Sequence, residues 1–141
     1  MGTRAVVHVD LRKVGYGKDI WIATHWDGHP ETLGKNLKQA IETEKKVRGK
    51  DWKKDMGGLM QTAIGKATAE HHIDSYSLSK EDFNKQYGDY AQFEYEINPK
   101  TGKIKFRPLK GFWLENPQKG KWKSLNEERK ARDSKKIKKV V

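Results

Sequence analysis

Hydrophobic and polar positions alternate along the first part of the chain. Within residues 5–14, Val7 and Val9 fall on the opposite side of the pattern from His8. This period of two is typical of a strand with one buried face. A turn with two glycines follows, and the alternation resumes over residues 19–25. Because glycine adopts positive φ at low cost, the sequence predicts an N-terminal β-hairpin.

The pattern then changes to the spacing of three and four that indicates a helix. Pro30 suits the first position of a helix, where its missing N–H would have had no partner. Leu33, Leu37 and Ile41 follow at helical spacing. We predict a first helix that begins at Pro30 and ends near Gly49.

A second helix is predicted to follow directly. Asp51 is suited to be its N-cap, and its apolar stripe runs from Trp52 to Ala67. A short helix is predicted to begin at Ser79 and to lead towards Gly88.

The clearest alternation lies between residues 90 and 107. Phe93, Tyr95 and Ile97 alternate with polar residues up to a turn at residues 98–102, and a returning run follows. This pattern predicts a second β-hairpin. We expect opposite charges to face each other on its solvent side; these are Glu94 and Glu96 against Lys103 and Lys105.

The order of these elements, β-β-α-α-β-β, separates strands from helices. It predicts an α+β fold, with an antiparallel sheet of about four strands from two hairpins and two main helices packed on one face. Residues 1–114 are expected to form a single domain. Residues 115–141 are expected to form a basic tail, partly helical or disordered, because they contain few apolar residues.

The composition agrees with one polar domain. The chain has 141 residues, of which 34% are hydrophobic and 35% charged, and it is long enough to fold without disulfides. There is no cysteine, so thiolate chemistry is excluded. No apolar run reaches the roughly 18–20 residues of a membrane span, and no signal peptide is recognised. We expect a cytosolic protein with no membrane partner.

The formal net charge is +11. Residues 115–141 hold ten basic and four acidic residues, and a second basic cluster lies between residues 45 and 54. Basic clusters attract polyanions because each neutralised phosphate releases counterions. Nonspecific binding of DNA or RNA is therefore the first hypothesis, against the alternative that these lysines only keep the surface soluble. Its candidate residues are Lys45, Lys46, Arg48, Lys50, Lys53, Lys54, Lys121, Trp122, Lys123, Lys135, Lys136, Lys138 and Lys139.

Aromatic residues among these lysines are candidates for stacking on bases. Trp52, Trp113 and Trp122 each have basic neighbours in the sequence. Trp52 also falls on the apolar stripe of the second helix, which favours a place in the core. For Trp122 the two interpretations are balanced.

The opening Met1-Gly-Thr-Arg4 and the segment His25-Trp-Asp-Gly-His-Pro30 resemble a family of small archaeal, bacterial and phage proteins. These begin Met-Gly-Thr-Arg and carry an Asp-Gly-aromatic-Pro turn before a helix. This chain has His29 where tyrosine is commoner in the family. The resemblance extends over roughly residues 1–107. It implies one compact domain and brings no activity with it.

Two other classes of function stay open. His25, Asp27 and His29 have the donor types of a transition-metal site, so a small metal-dependent hydrolase is one alternative. An Asp-Gly turn that caps a helix explains the same residues structurally. The other alternative is a regulatory protein that binds a protein partner or forms a homodimer. The chain has no phosphate-binding loop or nucleophile elbow, and we predict no cofactor.

Overall fold

Seven strands and three α-helices make up the part of the chain that the computed structural model describes, which is residues 3–25, 28–67 and 73–125. The strands are β1 (Ala5–Asp10), β2 (Asp19–Thr24), β3 (Ile73–Ser77), β4 (Phe93–Ile97), β5 (Ile104–Lys110), β6 (Gln118–Lys119) and β7 (Lys123–Ser124). The helices are α1 (Lys35–Arg48), α2 (Met56–Ala67) and α3 (Lys80–Gln86).

The strands form one sheet in the order β3-β2-β1-β4-β5-β6, and β7 also pairs with β5. Both predicted hairpins are confirmed, since β1 pairs antiparallel with β2 and β4 pairs antiparallel with β5. The prediction of about four strands was too low. The two hairpins are joined by a parallel pairing of β1 with β4, so the sheet is mostly rather than wholly antiparallel.

The strands that the sequence analysis missed lie towards the edges of the sheet. β3 pairs only with β2, and its sequence, Ile-Asp-Ser-Tyr-Ser, is mostly polar. β6 and β7 contain two residues each, which is too short for any alternation to be recognised.

The main core lies between the sheet and the pair α1 and α2. Val7 and Val9 point to this side from β1, as the alternation predicts, and meet Leu37 of α1 and Met60 of α2 in one buried cluster. Trp52 belongs to the same cluster and is 5% exposed. Its place on the apolar stripe therefore identified it correctly as a core residue.

The opposite face of the sheet carries a second apolar cluster under α3. Trp21 of β2 and Phe83 of α3 pack there with Tyr87. The predicted short helix is α3, and its start is capped by Ser79, whose hydroxyl accepts a hydrogen bond from the Asp82 N–H at 3.1 Å.

The first helical segment begins and ends near its predicted positions. Pro30 opens a short π-helical turn that continues into α1, and α1 ends at Arg48. The N-cap prediction for α2 was wrong, because α2 starts at Met56. Asp55 takes that role, and its carboxylate accepts the Gly58 N–H at 3.3 Å, while Asp51 lies in a preceding 3₁₀ turn.

The charge pairing in the second hairpin differs in part from the prediction. Glu96 faces Lys105, with 3.9 Å between the charged atoms. Glu94 faces Arg107 instead of Lys103 and is buried rather than solvent-facing, at 7% exposure. The Arg107 guanidinium contacts the Glu94 carboxylate at 2.5 Å, which compensates the charge that the sheet buries.

Part of the segment assigned to the tail lies on the sheet. β6 and β7 both pair with β5, and Leu125 reaches the main core with 9% exposure. Gly34 makes room for it, since a Cβ at Gly34 would lie 2.9 Å from the Leu125 Cδ1. Residues 126–141, the rest of the predicted tail, lie outside the described residues.

We predict that Leu125→Ala destabilises the protein by about 2 kcal/mol, because it removes buried methyl groups and leaves a cavity. Leu114→Ala is the matched control, since Leu114 is 56% exposed, and it should change the free energy of unfolding by less than about 0.5 kcal/mol. Urea unfolding followed by circular dichroism measures both. Equal stability of the two variants would show that residues 118–125 do not contribute to the core.

Candidate nucleic-acid interface

The register of the sheet brings two strand connections to the same end. Val9 near the end of β1 pairs with Ile97 at the end of β4, because these strands are parallel. Val9 also pairs with Ile20 of β2, and Ile97 pairs with Ile104 of β5. The β1–β2 connection and the β4–β5 turn therefore both project from this end, which we call the basic end. The opposite end, where β1 begins and β5 finishes, is called the far end.

Both connections at the basic end carry exposed cations. The β1–β2 connection contains Arg12, Lys13 and Lys18. The β4–β5 turn contains Lys100 and Lys103. None of these residues was among the predicted binding residues, and Lys103 was expected only to face a glutamate of the second hairpin. Each connection alone is short and unremarkable, and only the parallel pairing of β1 with β4 places them together.

The predicted basic cluster at residues 45–54 joins the same end of the sheet. The Lys45 ammonium donates a hydrogen bond to the Thr101 carbonyl of the β4–β5 turn. The turn also packs closely on α1, since a Cβ at Gly102 would lie 2.8 Å from the Ile41 Cγ2. The C-terminal end of α1 and the connection to α2 thus extend the basic end beyond the sheet.

Some of these cations are neutralised within the molecule. Arg48 contacts Glu44 at 2.9 Å, and Lys54 contacts Asp51 at 3.4 Å. The ammonium groups of Lys45 and Lys53 lie 5.1 and 5.6 Å from the ring centroid of Trp52, in cation–π geometry. Other exposed lysines of the basic end form no ion pair with any residue in the described ranges; these are Lys13, Lys18, Lys46, Lys50, Lys100 and Lys103.

A network of polar side chains holds the base of the β1–β2 connection. Asp10 is the last residue of β1 and Asp19 is the first residue of β2, and the two lie opposite each other in the sheet. The Arg12 guanidinium donates to Asp10 at 2.8 Å and lies 3.5 Å from Asp19. Asp19 also contacts the His8 Nε2 at 2.5 Å and accepts the Trp21 indole N–H at 3.0 Å. The hydrogen bond from Arg12 holds the pKa of Asp10 below its usual range.

The tryptophans proposed as stacking platforms are engaged within the protein. Trp52 is buried in the main core. Trp113 packs against Phe83 and donates its indole N–H to Asn84 at 2.7 Å. Trp122 lies under two cations of β5; they are Arg107, 4.2 Å from the ring centroid, and Lys105 at 4.7 Å.

The tail residues of the first hypothesis divide between two regions. Lys121 and Lys123 flank Trp122 and are exposed beside β5. They extend the positive surface along the sheet edge from Lys103. The remaining candidates, Lys135, Lys136, Lys138 and Lys139, lie outside the described residues.

The metal candidates do not form a ligand set in the described part of the chain. The Arg4 Nε donates to His25 Nδ1 at 3.4 Å. The exposed ring of His29 packs against Phe93 with 5.1 Å between centroids. Asp27 lies outside the described residues, and among those that are described no three His, Cys, Asp or Glu residues gather around a common point.

Comparisons with known proteins add no relative. Neither protein-family models nor curated proteins nor solved structures give a match to this chain. Over residues 3–25, 28–67 and 73–125, no helix combines the length and the apolar character needed to cross a membrane. The interpretation of the basic end therefore depends on its own geometry and charge.

We predict that the Asp10–Arg12 contact makes the thermal stability of the protein depend on pH under acidic conditions. Because the folded-state pKa of Asp10 is lowered, its stabilising effect is present above the ordinary value of about 4 and is lost as pH falls through the folded-state pKa. Asp10→Asn should lower Tm at pH 6 by a few degrees at most, since Arg12 is largely exposed. The difference from the parent protein should shrink towards pH 3.

Thermal unfolding between pH 3 and pH 7 measures this effect. In an Arg12→Gln background the guanidinium is absent but the backbone N–H of residue 12 still donates to Asp10, so Asp10→Asn should change the pH dependence less than it does in the parent protein. A Tm difference that stays constant across this pH range would contradict the assignment.

Proposed function

We propose that the protein binds nucleic acid through the basic end, by contacts to phosphates that do not depend on base sequence. The observation that carries the proposal is the convergence of exposed lysines from three separate connections: β1–β2, α1–α2 and β4–β5. Lysines without ion pairs gain most from a polyanion, because no internal carboxylate has to be displaced.

The distribution of carboxylates also supports the basic end as the binding surface. Asp10 and Asp19 lie at the base of the β1–β2 connection and are occupied by Arg12 and His8. Asp51 contacts Lys54. These acidic groups are thus held against partners, whereas Lys46 and Lys100 are exposed and form no ion pair with a described residue, so their charge is available to phosphates.

The two other hypotheses have less support. The metal-dependent hydrolase requires three ligands around one point, and His25 and His29 have the neighbours described above instead. A protein partner or a homodimer would need an apolar or strand-edge surface with an identifiable counterpart, and no feature of the described residues identifies one. Phosphate contact needs only what the basic end already presents.

We predict that the charge-reversal variant Lys46→Glu/Lys50→Glu/Lys100→Glu loses most of its affinity for a labelled oligonucleotide. The slope of log K against log salt should become less steep by roughly 2 to 3, since each of the three phosphate contacts contributes roughly 0.7–0.9. Fluorescence anisotropy at several salt concentrations measures both quantities.

A matched variant separates this site from net charge. Lys85→Glu/Lys110→Glu/Lys119→Glu makes the same change in charge at exposed lysines of the far end and of α3 near it. It should keep most of the salt slope of the parent protein. Equal losses in the two variants would show that total charge alone governs binding, and absence of binding by the parent protein at low salt would reject the proposal.

A further inference from the structure

One exposed aromatic residue, Tyr16, lies at the basic end. Tyr16 lies at the tip of the β1–β2 connection between Gly15 and Gly17, whose φ angles are 88° and 66°. It is 38% exposed. A Cβ added at either glycine would have no other atom within 4 Å. The space next to the backbone is therefore empty on both sides of Tyr16 in the sequence.

The backbone of this tip is nevertheless fixed. The Tyr16 N–H donates to the Leu11 carbonyl at 3.1 Å, and the Arg12 N–H donates to the Lys18 carbonyl at 3.1 Å. The Asp10–Arg12 contact secures the same connection from below. A ring presented from a fixed loop loses less conformational entropy on binding than one on a free segment.

Unlike Tyr16, the tryptophans of the described ranges have rings that are buried or in contact with another side chain. Trp21 is stacked on His8 with 3.8 Å between ring centroids, and Trp122 is covered by Arg107. Trp52 is buried, and Trp113 belongs to the second apolar cluster. Among the described residues, no aromatic ring stacks on Tyr16 and no cation lies over its ring, and the residue keeps an exposed fraction of 38%.

The neighbours of Tyr16 supply the charge that a stacked base needs beside it. Arg12, Lys13 and Lys18 are exposed in the same connection. Proteins that bind single strands combine aromatic rings, on which bases stack, with cations that follow the phosphates. In a duplex the faces of the bases are already stacked on one another, so a protein ring can stack on a base only if the duplex is unstacked at a free-energy cost.

We infer that Tyr16 stacks on an unpaired base, so that the basic end prefers single-stranded nucleic acid over a duplex. This inference rests on the proposed function and adds the substrate class to it. The lysines account for binding to any nucleic acid, whereas Tyr16 accounts for the preference.

The test compares a labelled oligothymidine with a labelled DNA hairpin duplex that has the same number of phosphates, at one salt concentration. Tyr16→Ala should weaken binding to oligothymidine by about 5- to 150-fold, which corresponds to the loss of one stacked base. Binding to the duplex should change by less than about twofold. Tyr16→Phe keeps the ring and should retain the affinity of the parent protein for oligothymidine.

Phe112→Ala is the matched control, because Phe112 is 49% exposed and lies at the far end. It should leave both affinities unchanged. Circular dichroism establishes that each variant folds. If Tyr16→Ala does not fold, Tyr16→Trp replaces it and should tighten binding to oligothymidine, because the larger ring stacks over a greater area; no tightening would count against the inference.

The outcomes separate the inference from the proposed function. Equal weakening of single strand and duplex by Tyr16→Ala, or equal affinity of the parent protein for both, would overturn the stacking role while the effect of the Lys46, Lys50 and Lys100 variant still stood. Absence of binding to either nucleic acid would overturn both.

Discussion

The parallel pairing of β1 with β4 determines which strand connections meet at the basic end. β1 is the strand through which the two hairpins meet, and Val6, Val7 and Val9 are fully buried on its two faces. If β4 ran antiparallel to β1, the β4–β5 turn would project from the far end. The cations of the β1–β2 connection and of the β4–β5 turn would then lie at opposite ends of the sheet, and no shared basic surface would form.

This pairing also explains the position of the α1–α2 connection. α1 packs on the face of the sheet that carries Val7 and Val9, and its last turns reach the β4–β5 turn, where Lys45 binds the Thr101 carbonyl. Gly102, with φ of 78°, allows that turn to approach Ile41 closely. The packing of an apolar helix face therefore brings a third set of lysines to the end that the strand register has already defined.

Local patterns in the sequence predicted what depends on local chemistry. The alternation of Val7 and Val9 identified the inward face of β1, and the segment that begins at Ser79 was recognised as the start of α3. β3 could not be recognised because a mostly polar edge strand has little alternation. The pairing of β1 with β4 and the burial of Glu94 against Arg107 depend on contacts between residues distant in the chain. The lysines at residues 45–54 could be recognised because they are close together in the sequence. The lysines of the other two connections are distant in the sequence, and only the fold brings them to the same end; these are Lys13, Lys18, Lys100 and Lys103.

The basic end carries charge that stability alone does not require. Exposed lysines without ion pairs repel one another over about a Debye length, roughly 8 Å at physiological salt, and this repulsion opposes folding. Elsewhere the same chain neutralises its charges closely, as Glu94 with Arg107 and Asp19 with His8 show. The described part of the chain compensates its buried charges closely, yet Lys46 and Lys100 form no ion pair with any described residue. This contrast is what the proposed binding of a polyanion at the basic end explains. Under the proposed function, phosphates would supply that compensation, and the exposed Tyr16 in the same set of connections would favour a single strand over a duplex.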